Sequence, residues 1–321
     1  MGAPRHLART LTSLERKTMY DLIIIGAGPG GMTAALYAAR SNLKVLLLEQ
    51  GAPGGQMNNT AEVENYPGYA SILGPELAMK MYEPLEPLGV ENAYGIVQKV
   101  EDHGSKKLIL TEDKTFETKS VIFATGANHR KLDVPGEDEY GARGVSYCAV
   151  CDGAFFKDQE IIVVGGGDSA IEEAMFLTRF ASKVTIVHRR DELRAQKIIQ
   201  ERAFKEPKMA FIWDSVVTEI LGDDKKVTGV KIQNVKTGEA TEKAAGGVFI
   251  YVGLLPQSEA AQGLGITTDA GWIVTDDHMH TKIPGIYAIG DVREKDFRQI
   301  TTAVGDGAAA AQEAYKYVTA L

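Results

Sequence analysis

Only two cysteines occur among 321 residues, which excludes a disulfide framework and any cysteine-rich zinc module. Long apolar runs are missing too: the longest, such as Leu22 to Gly31 and Val45 to Leu48, fall short of the roughly 20 residues needed to cross a bilayer. Positive charge is in deficit, with 35 Lys and Arg against 43 Asp and Glu and a formal net charge of −8. No protein-wide field therefore draws nucleic acid or a membrane surface. What remains is 44 % hydrophobic and 24 % charged, the composition of a soluble globular protein long enough for two domains with separate cores.

The two cysteines stand together, in C-A-V-C-D at 148–152. A structural disulfide closing so small a loop removes little entropy from the unfolded chain, and two ligands alone make a poor zinc site. The pair calls for a chemical role.

Residues 1–18, MGAPRHLARTLTSLERKT, carry four Lys or Arg against one acid and several Ser and Thr, a composition with some likeness to a transit peptide. The simpler readings are a cloning remnant or an upstream start. The segment is expected to be a disordered or non-native tail, with the fold opening at Met19.

An internal repeat organises the rest. DLIIIGAGPGGMTAALYAARSNLKVLLLEQ (21–50) recurs as EIIVVGGGDSAIEEAMFLTRFASKVTIVHRR (160–190) at a constant offset of 139. Each copy reads as strand, glycine turn, helix, strand, the pattern of a dinucleotide-binding βαβ unit. In the first, Gly26 permits a tight turn, Gly28 lets a pyrophosphate approach the backbone, and Gly31 packs helix on strand, with Pro29 and Gly30 opening the helix. Glu49, twenty-three residues after Gly26, closes the next strand and suits a ribose with a free 2′-hydroxyl.

The second unit has Gly165, Gly166 and Gly167, then Asp168, Ser169 and Ala170, in the G-x-G-x-x-A variant. At the position of Glu49 stands His188, followed by Arg189, Arg190 and Arg194. An acid there repels a 2′-phosphate and arginines attract it, so this unit suits NADP(H). The competing reading is a solvated turn whose charges pair among themselves.

Hairpin-like alternation follows each unit, at 98–118 and 215–241, and each leads into an apolar strand ending in glycine, VIFATG (121–126) and VFIYVG (248–253). A last strand, IPGIYAIGD (283–291), is expected to end at Asp291, whose carboxylate suits sugar or ribitol hydroxyls. His278 and His280 beside two aspartates suggest a metal, but no third convergent ligand is visible and no metal is expected.

With these motifs in order, the sequence resembles the bacterial low-molecular-weight thioredoxin reductases, the smaller branch of the two-dinucleotide-binding flavoprotein disulfide reductases. The resemblance covers nearly everything from Met19 to Leu321 and rests on GAGPGG, GGQ, ATG, CAVCDG, GGGDSA, HRRDELRA, IYAIGD and RQITTAVGDG. Leu254 and Asp168 depart from the residues frequent at their positions; neither removes a needed charge or glycine.

The resemblance implies an α/β fold of two Rossmann-like, three-layer domains. FAD is expected on residues 19–130 and 256–321, NADPH on an inserted domain at 131–255 that also carries the cysteines. It implies that Glu49, Gly55, Gln56, Ala124, Thr125, Gly126, Gly290, Asp291, Arg298, Gln299 and Ile300 join the first glycine turn around FAD. It further implies that Cys151 lies against the flavin, that Cys148 forms the mixed disulfide with the partner, and that the inserted domain rotates between half-reactions. Asp152 is the candidate proton donor, its plainer role being a turn cap. Thioredoxin is the expected partner, with a homodimer in the cytoplasm. The alternatives are the reductase part of an alkyl hydroperoxide reductase system, a ferredoxin–NADP reductase, which CAVC opposes, and a non-catalytic flavin redox sensor.

Overall fold

The computed structural model describes residues 19–60, 62, 63 and 65–321. The tail expected at residues 1–18 lies outside them.

The first unit runs β1 (Met19–Ile25), α1 (Pro29–Arg40), β2 (Val45–Glu49), β3 (Glu62–Val63), β4 (Ile72–Leu73), α2 (Gly74–Tyr82) and β5 (Glu91–Tyr94). A meander of β6 (Val97–His103), β7 (Lys106–Thr111) and β8 (Thr115–Phe123) follows. After β9 (Ala127–His129) come β10 (Val145–Ser146), α3 (Ala149–Asp152), β11 (Glu160–Gly165), α4 (Asp168–Leu177), β12 (Lys183–Val187), α5 (Lys197–Lys205) and β13 (Met209–Ile212). Then β14 (Ser215–Gly222), β15 (Val227–Asn234) and β16 (Ala240–Ala244) form an antiparallel sheet before β17 (Gly247–Tyr251), β18 (Leu254–Pro256), β19 (Ile286–Ala288) and α6 (Ile300–Thr319).

Two larger sheets carry the fold. One is ordered β5-β2-β1-β8-β7-β6, with β19 added on β8, and the other β10-β17-β11-β12-β13. In the first, β1 lies parallel between β2 and β8, and Leu22, Ile23 and Ile24 are wholly buried. Covered on both faces, the strand is continuously apolar instead of alternating. The second sheet is parallel throughout, with β11 between β12 and β17. The repeated sequence units thus sit at equivalent places in two sheets.

Two crossing strands run side by side between these sheets: β9 pairs antiparallel with β18, Leu254 opposite His129 and Pro256 opposite Ala127. The return strand β18 brings the chain back to the first sheet, where β19 docks on β8. The last helix, α6, then packs on α1. Small residues set the separation, Ala34, Ala35 and Ala38 facing Ala310, Ala311 and Ala314 in one core, and a Cβ on Gly307 would run into the Gly30 carbonyl.

The stretch IPGIYAIGD is less regular than expected. Only Ile286–Ala288 is strand; Gly285 (φ +76°) turns the chain in, and Gly290 (φ +67°) starts a 3₁₀ turn over Gly290–Val292. Left-handed backbone at both ends of the run ends the ladder and places Asp291 in a turn instead of the strand. No helix among the described residues is long and apolar enough to cross a membrane.

Candidate active site

Cys148 and Cys151 form a disulfide, Cα atoms 5.3 Å apart, at the start of α3. Cys148 is the N-cap, and its Sγ accepts the Cys151 N–H at 3.2 Å. The extended residue ahead of the helix puts the sulfur over an amide that has no intrahelical acceptor. Two further bonds fix this turn: the Cys148 N–H donates to Ser146 Oγ at 3.1 Å, and the buried Ala149 N–H donates to the Tyr251 hydroxyl at 2.7 Å. Tyr251 ends β17, so the redox turn is tied to the second sheet.

Asp152 does not cap the turn that follows it, for its side chain makes no capping bond there. Instead its Oδ2 accepts from the Ser146 hydroxyl at 2.6 Å. Burial pushes the Asp152 pKa up, and the serine bond acts against that rise. A half-buried carboxyl beside the cysteine pair, held towards its protonated form, can supply a proton to a departing thiolate.

The disulfide faces a cleft of about 2230 Å³, which it lines together with Gly28, Glu49, Asp291 and Gln299 of the first sheet and Gly167 and Arg194 of the second. At the first glycine turn, Gly26 has φ +104° and a Cβ there would run into the Ala124 carbonyl. A Cβ on Gly31 would meet the Gly26 carbonyl, whereas one on Gly28 would meet nothing within 4 Å. Gly28 therefore borders open space at the start of α1, where the backbone amides of a helix N-terminus favour an anion. The Glu49 carboxylate is held by the Ala27 N–H at 2.7 Å and the Gly51 N–H at 2.8 Å, each oxygen keeping a lone pair for a ligand hydroxyl.

Gly55, Gln56, Ala124, Thr125, Gly126, Gly290, Arg298 and Ile300 line the same cleft. Asp291 Oδ1 is buried with no partner among the described residues. Burial raises the Asp291 pKa, against the pull of Lys295 and Arg298. An orphaned buried acceptor beside an open glycine turn and a pre-set glutamate fits a ligand with a diphosphate and a polyhydroxyl chain, the chemistry of FAD.

The second glycine turn repeats this geometry. A Cβ on Gly165 would crowd the Tyr251 carbonyl and Ala170, and one on Gly167 would meet nothing within 4 Å. Asp168 spends its carboxylate on Gln196, accepting its N–H at 2.7 Å and its Nε2 at 3.1 Å, so it braces the turn against the start of α5. Ser169 and Ala170 line the cleft beside it. His188 is buried, its ring filling the space a Cβ on Gly166 would need, and burial with Arg194 lowers its pKa. It supports the turn from beneath and does not line the cleft. Arg189, Arg190 and Arg194 are exposed and have no carboxylate partner among the described residues; Asp191 pairs with Lys236 at 2.9 Å instead. The charges of this stretch do not pair among themselves, which leaves three guanidiniums for an anion.

Several neighbours escaped sequence reading. Ser146 precedes Cys148 by two residues, a spacing that signals little. Tyr251 reads as one more apolar residue of VFIYVG. Trp272 carries the Arg298 guanidinium 4.1 Å above its ring, from a segment with no motif. Glu173 borders the cleft, its pKa pushed up to about 7 by burial and by Glu172. His129 stacks on Tyr147 at 5.0 Å, a crossing strand touching the residue before Cys148. His280 lies between Asp276 (3.0 Å) and Glu313 (3.4 Å), a carboxylate pairing.

Comparison with known proteins gives consistent results. Residues 20–307 match the family model described as pyridine nucleotide-disulphide oxidoreductase. A thioredoxin reductase of Listeria monocytogenes is 59 % identical over 96 % of each chain, and one of Bacillus subtilis is 55 % identical over 96 % of this chain and 98 % of that one. The solved thioredoxin reductase of Streptococcus pyogenes superposes with a TM-score of 0.90 at 67 % identity, covering 95 % of this chain and all of that one. That of Lactococcus lactis, described as the FR conformation, reaches only 0.68 at 73 % identity, covering 94 % and 100 %.

Proposed function

The chain belongs to the pyridine nucleotide-disulphide oxidoreductase family, in its thioredoxin reductase branch, and from that premise we propose how its residues reduce the disulfide of thioredoxin with NADPH. The observation that carries the reading is the Cys148–Cys151 disulfide facing one cleft with both glycine turns.

Residues 19–130 with 256–321 hold FAD: the amides at the start of α1 take the diphosphate, Glu49 the adenosine ribose and Asp291 the ribityl chain. Residues 131–255 hold NADPH, with the diphosphate at Gly167 and the 2′-phosphate on Arg189, Arg190 and Arg194. When bound, FAD would supply the two-electron chemistry that connects NADPH to the cysteine pair.

The chain's own part begins with the reduced pair. The Cys148 thiolate, steadied by the Cys151 N–H, attacks a partner sulfur, and one thiol of thioredoxin departs with a proton from Asp152. Cys151 then attacks Cys148, which restores the intramolecular disulfide and frees the second thiol. Two electrons leave the cysteine pair and two enter thioredoxin.

The disulfide faces the FAD cradle here, with α3 against β3, so the second glycine turn must approach the cradle in another arrangement. Rotation about β9 and β18 would exchange the two. The Lactococcus lactis structure supports this: at 73 % identity the parts should match closely, so a TM-score of 0.68 points to a different arrangement of them. The reading extends to a homodimer in the cytoplasm, where NADPH and thioredoxin are the reducing currencies.

Steady-state oxidation of NADPH and NADH with thioredoxin, glutaredoxin-like proteins and a peroxiredoxin-type partner tests the reading. It expects preference for NADPH and turnover with thioredoxin. Turnover only with NADH and a peroxidase partner would favour the alkyl hydroperoxide alternative, and no turnover a sensor.

A further inference from the structure

The flavin cradle is assembled from pieces at opposite ends of the chain: the start of α1, and the Gly290–Val292 turn with the start of α6. One carboxylate oxygen joins two of them. Asp306 Oδ2, on α6, accepts from the Gly290 N–H at 2.9 Å, Arg293 Nη1 at 2.9 Å and Lys295 Nζ at 3.0 Å. All three side chains are largely buried, at 12 %, 11 % and 14 % exposure, so solvent screens this cluster weakly. Arg293 continues to Thr275 Oγ1 at 2.7 Å. Lys295 reaches Thr302 Oγ1 at 3.3 Å, and that hydroxyl accepts the Gln299 N–H at 3.1 Å in the capping box of α6.

Asp306 does not line the cleft; Gly290, Asp291 and Gln299 do. The carboxylate therefore acts one layer behind the ligand. The Gly290 amide is the donor immediately before Asp291, whose Oδ1 is the orphaned acceptor. Glycine at φ +67° leaves this turn few restraints of its own, and Asp306 supplies one from the helix. The same helix is seated on α1 by Gly307, the next residue, against the Gly30 carbonyl. Residues 306 and 307 thus link all three pieces.

We propose that Asp306 is a positioning residue for the flavin: by holding the Gly290 amide it fixes where Asp291 meets the ribityl chain, and so sets how long FAD stays bound. The inference rests on the flavin reading of this cleft. A simpler account has Asp306 only offsetting the two buried cations. The two differ when Arg293→Met accompanies Asp306→Leu: the net charge of the cluster returns to its wild-type value and Lys295 keeps Thr302 Oγ1 at 3.3 Å, but the Gly290 amide stays unheld.

The experiment follows FAD release from holoprotein by flavin fluorescence, alongside the melting temperature of the FAD-stripped protein. Wild type, Asp306→Leu and the double variant Arg293→Met/Asp306→Leu, which keeps the net charge of the cluster, are compared. Expected is release about tenfold faster in both variants, the scale of one lost buried charge-assisted hydrogen bond, with the double variant melting above Asp306→Leu. Release at the wild-type rate in the double variant overturns the proposal, whether or not Asp306→Leu folds, because charge burial alone then explains the triad. A wild-type protein that takes up no FAD would instead sink the flavin reading itself.

Discussion

Ser146 donates its hydroxyl proton to Asp152 at 2.6 Å while its oxygen accepts the Cys148 N–H at 3.1 Å, so one serine joins the Asp152 carboxylate to the first cysteine of the pair. Its bond favours ionised Asp152, against burial, which raises the pKa. Ser146→Ala should therefore shift the basic limb of thiol–disulfide exchange to higher pH. Asp152→Asn should slow exchange roughly a hundredfold and leave flavin reduction unchanged. Stopped-flow traces with thioredoxin across pH check both. The same raised pKa means that the native state holds this proton more tightly than the unfolded chain. Its contribution is complete below 3.8 and is lost as pH rises through the native pKa, so Asp152→Asn should raise the urea midpoint at neutral pH and gain nothing below 3.8.

The exposed arginines should govern cofactor choice. Arg189→Ala and Arg190→Ala should each raise KM for NADPH about tenfold, the scale of one charged hydrogen bond, and leave KM for NADH unmoved. Equal effects on both cofactors would place the arginines elsewhere.

Two glycines of one turn should respond differently. Gly31→Ala drives a methyl into the Gly26 carbonyl, and the protein should be destabilised by roughly 2 kcal/mol or more. Gly28→Ala meets open space and should fold normally, yet take up FAD poorly, because the methyl would occupy the proposed diphosphate site. Thermal melts and flavin content of purified variants separate the two.

Tyr251→Phe leaves the wholly buried Ala149 N–H without an acceptor. The cost should be about 1–3 kcal/mol of unfolding free energy, read from urea denaturation. Thioredoxin reduction should slow as the redox turn loosens.

Much of this was legible in the sequence because it depends on neighbours in the chain. Gly26, Gly28 and Gly31, their copies 139 residues later, and the cysteine pair are local patterns whose spacing mirrors local geometry. The site's supports were not legible. Tyr251 meets Ala149 across 102 residues, and Asp306 meets Gly290 from the next helix; such contacts exist only once sheets and helices are stacked. His188 shows the limit of register reasoning. It matches Glu49 in position, but an imidazole at that depth fills the space under Gly166 instead of facing the cleft. The expected strand 283–291 shortened because Gly285 and Gly290 adopt left-handed backbone, which residue type permits but does not announce.

In the proposed function electrons pass from NADPH through FAD to Cys148–Cys151 and leave through Cys148. Anaerobic titration of Cys148→Ser with NADPH, followed by addition of oxidised thioredoxin, tests it most directly. The account predicts that the flavin absorbance bleaches as in wild type while thioredoxin gains no thiols. Thiol formation in thioredoxin at the wild-type rate would contradict it.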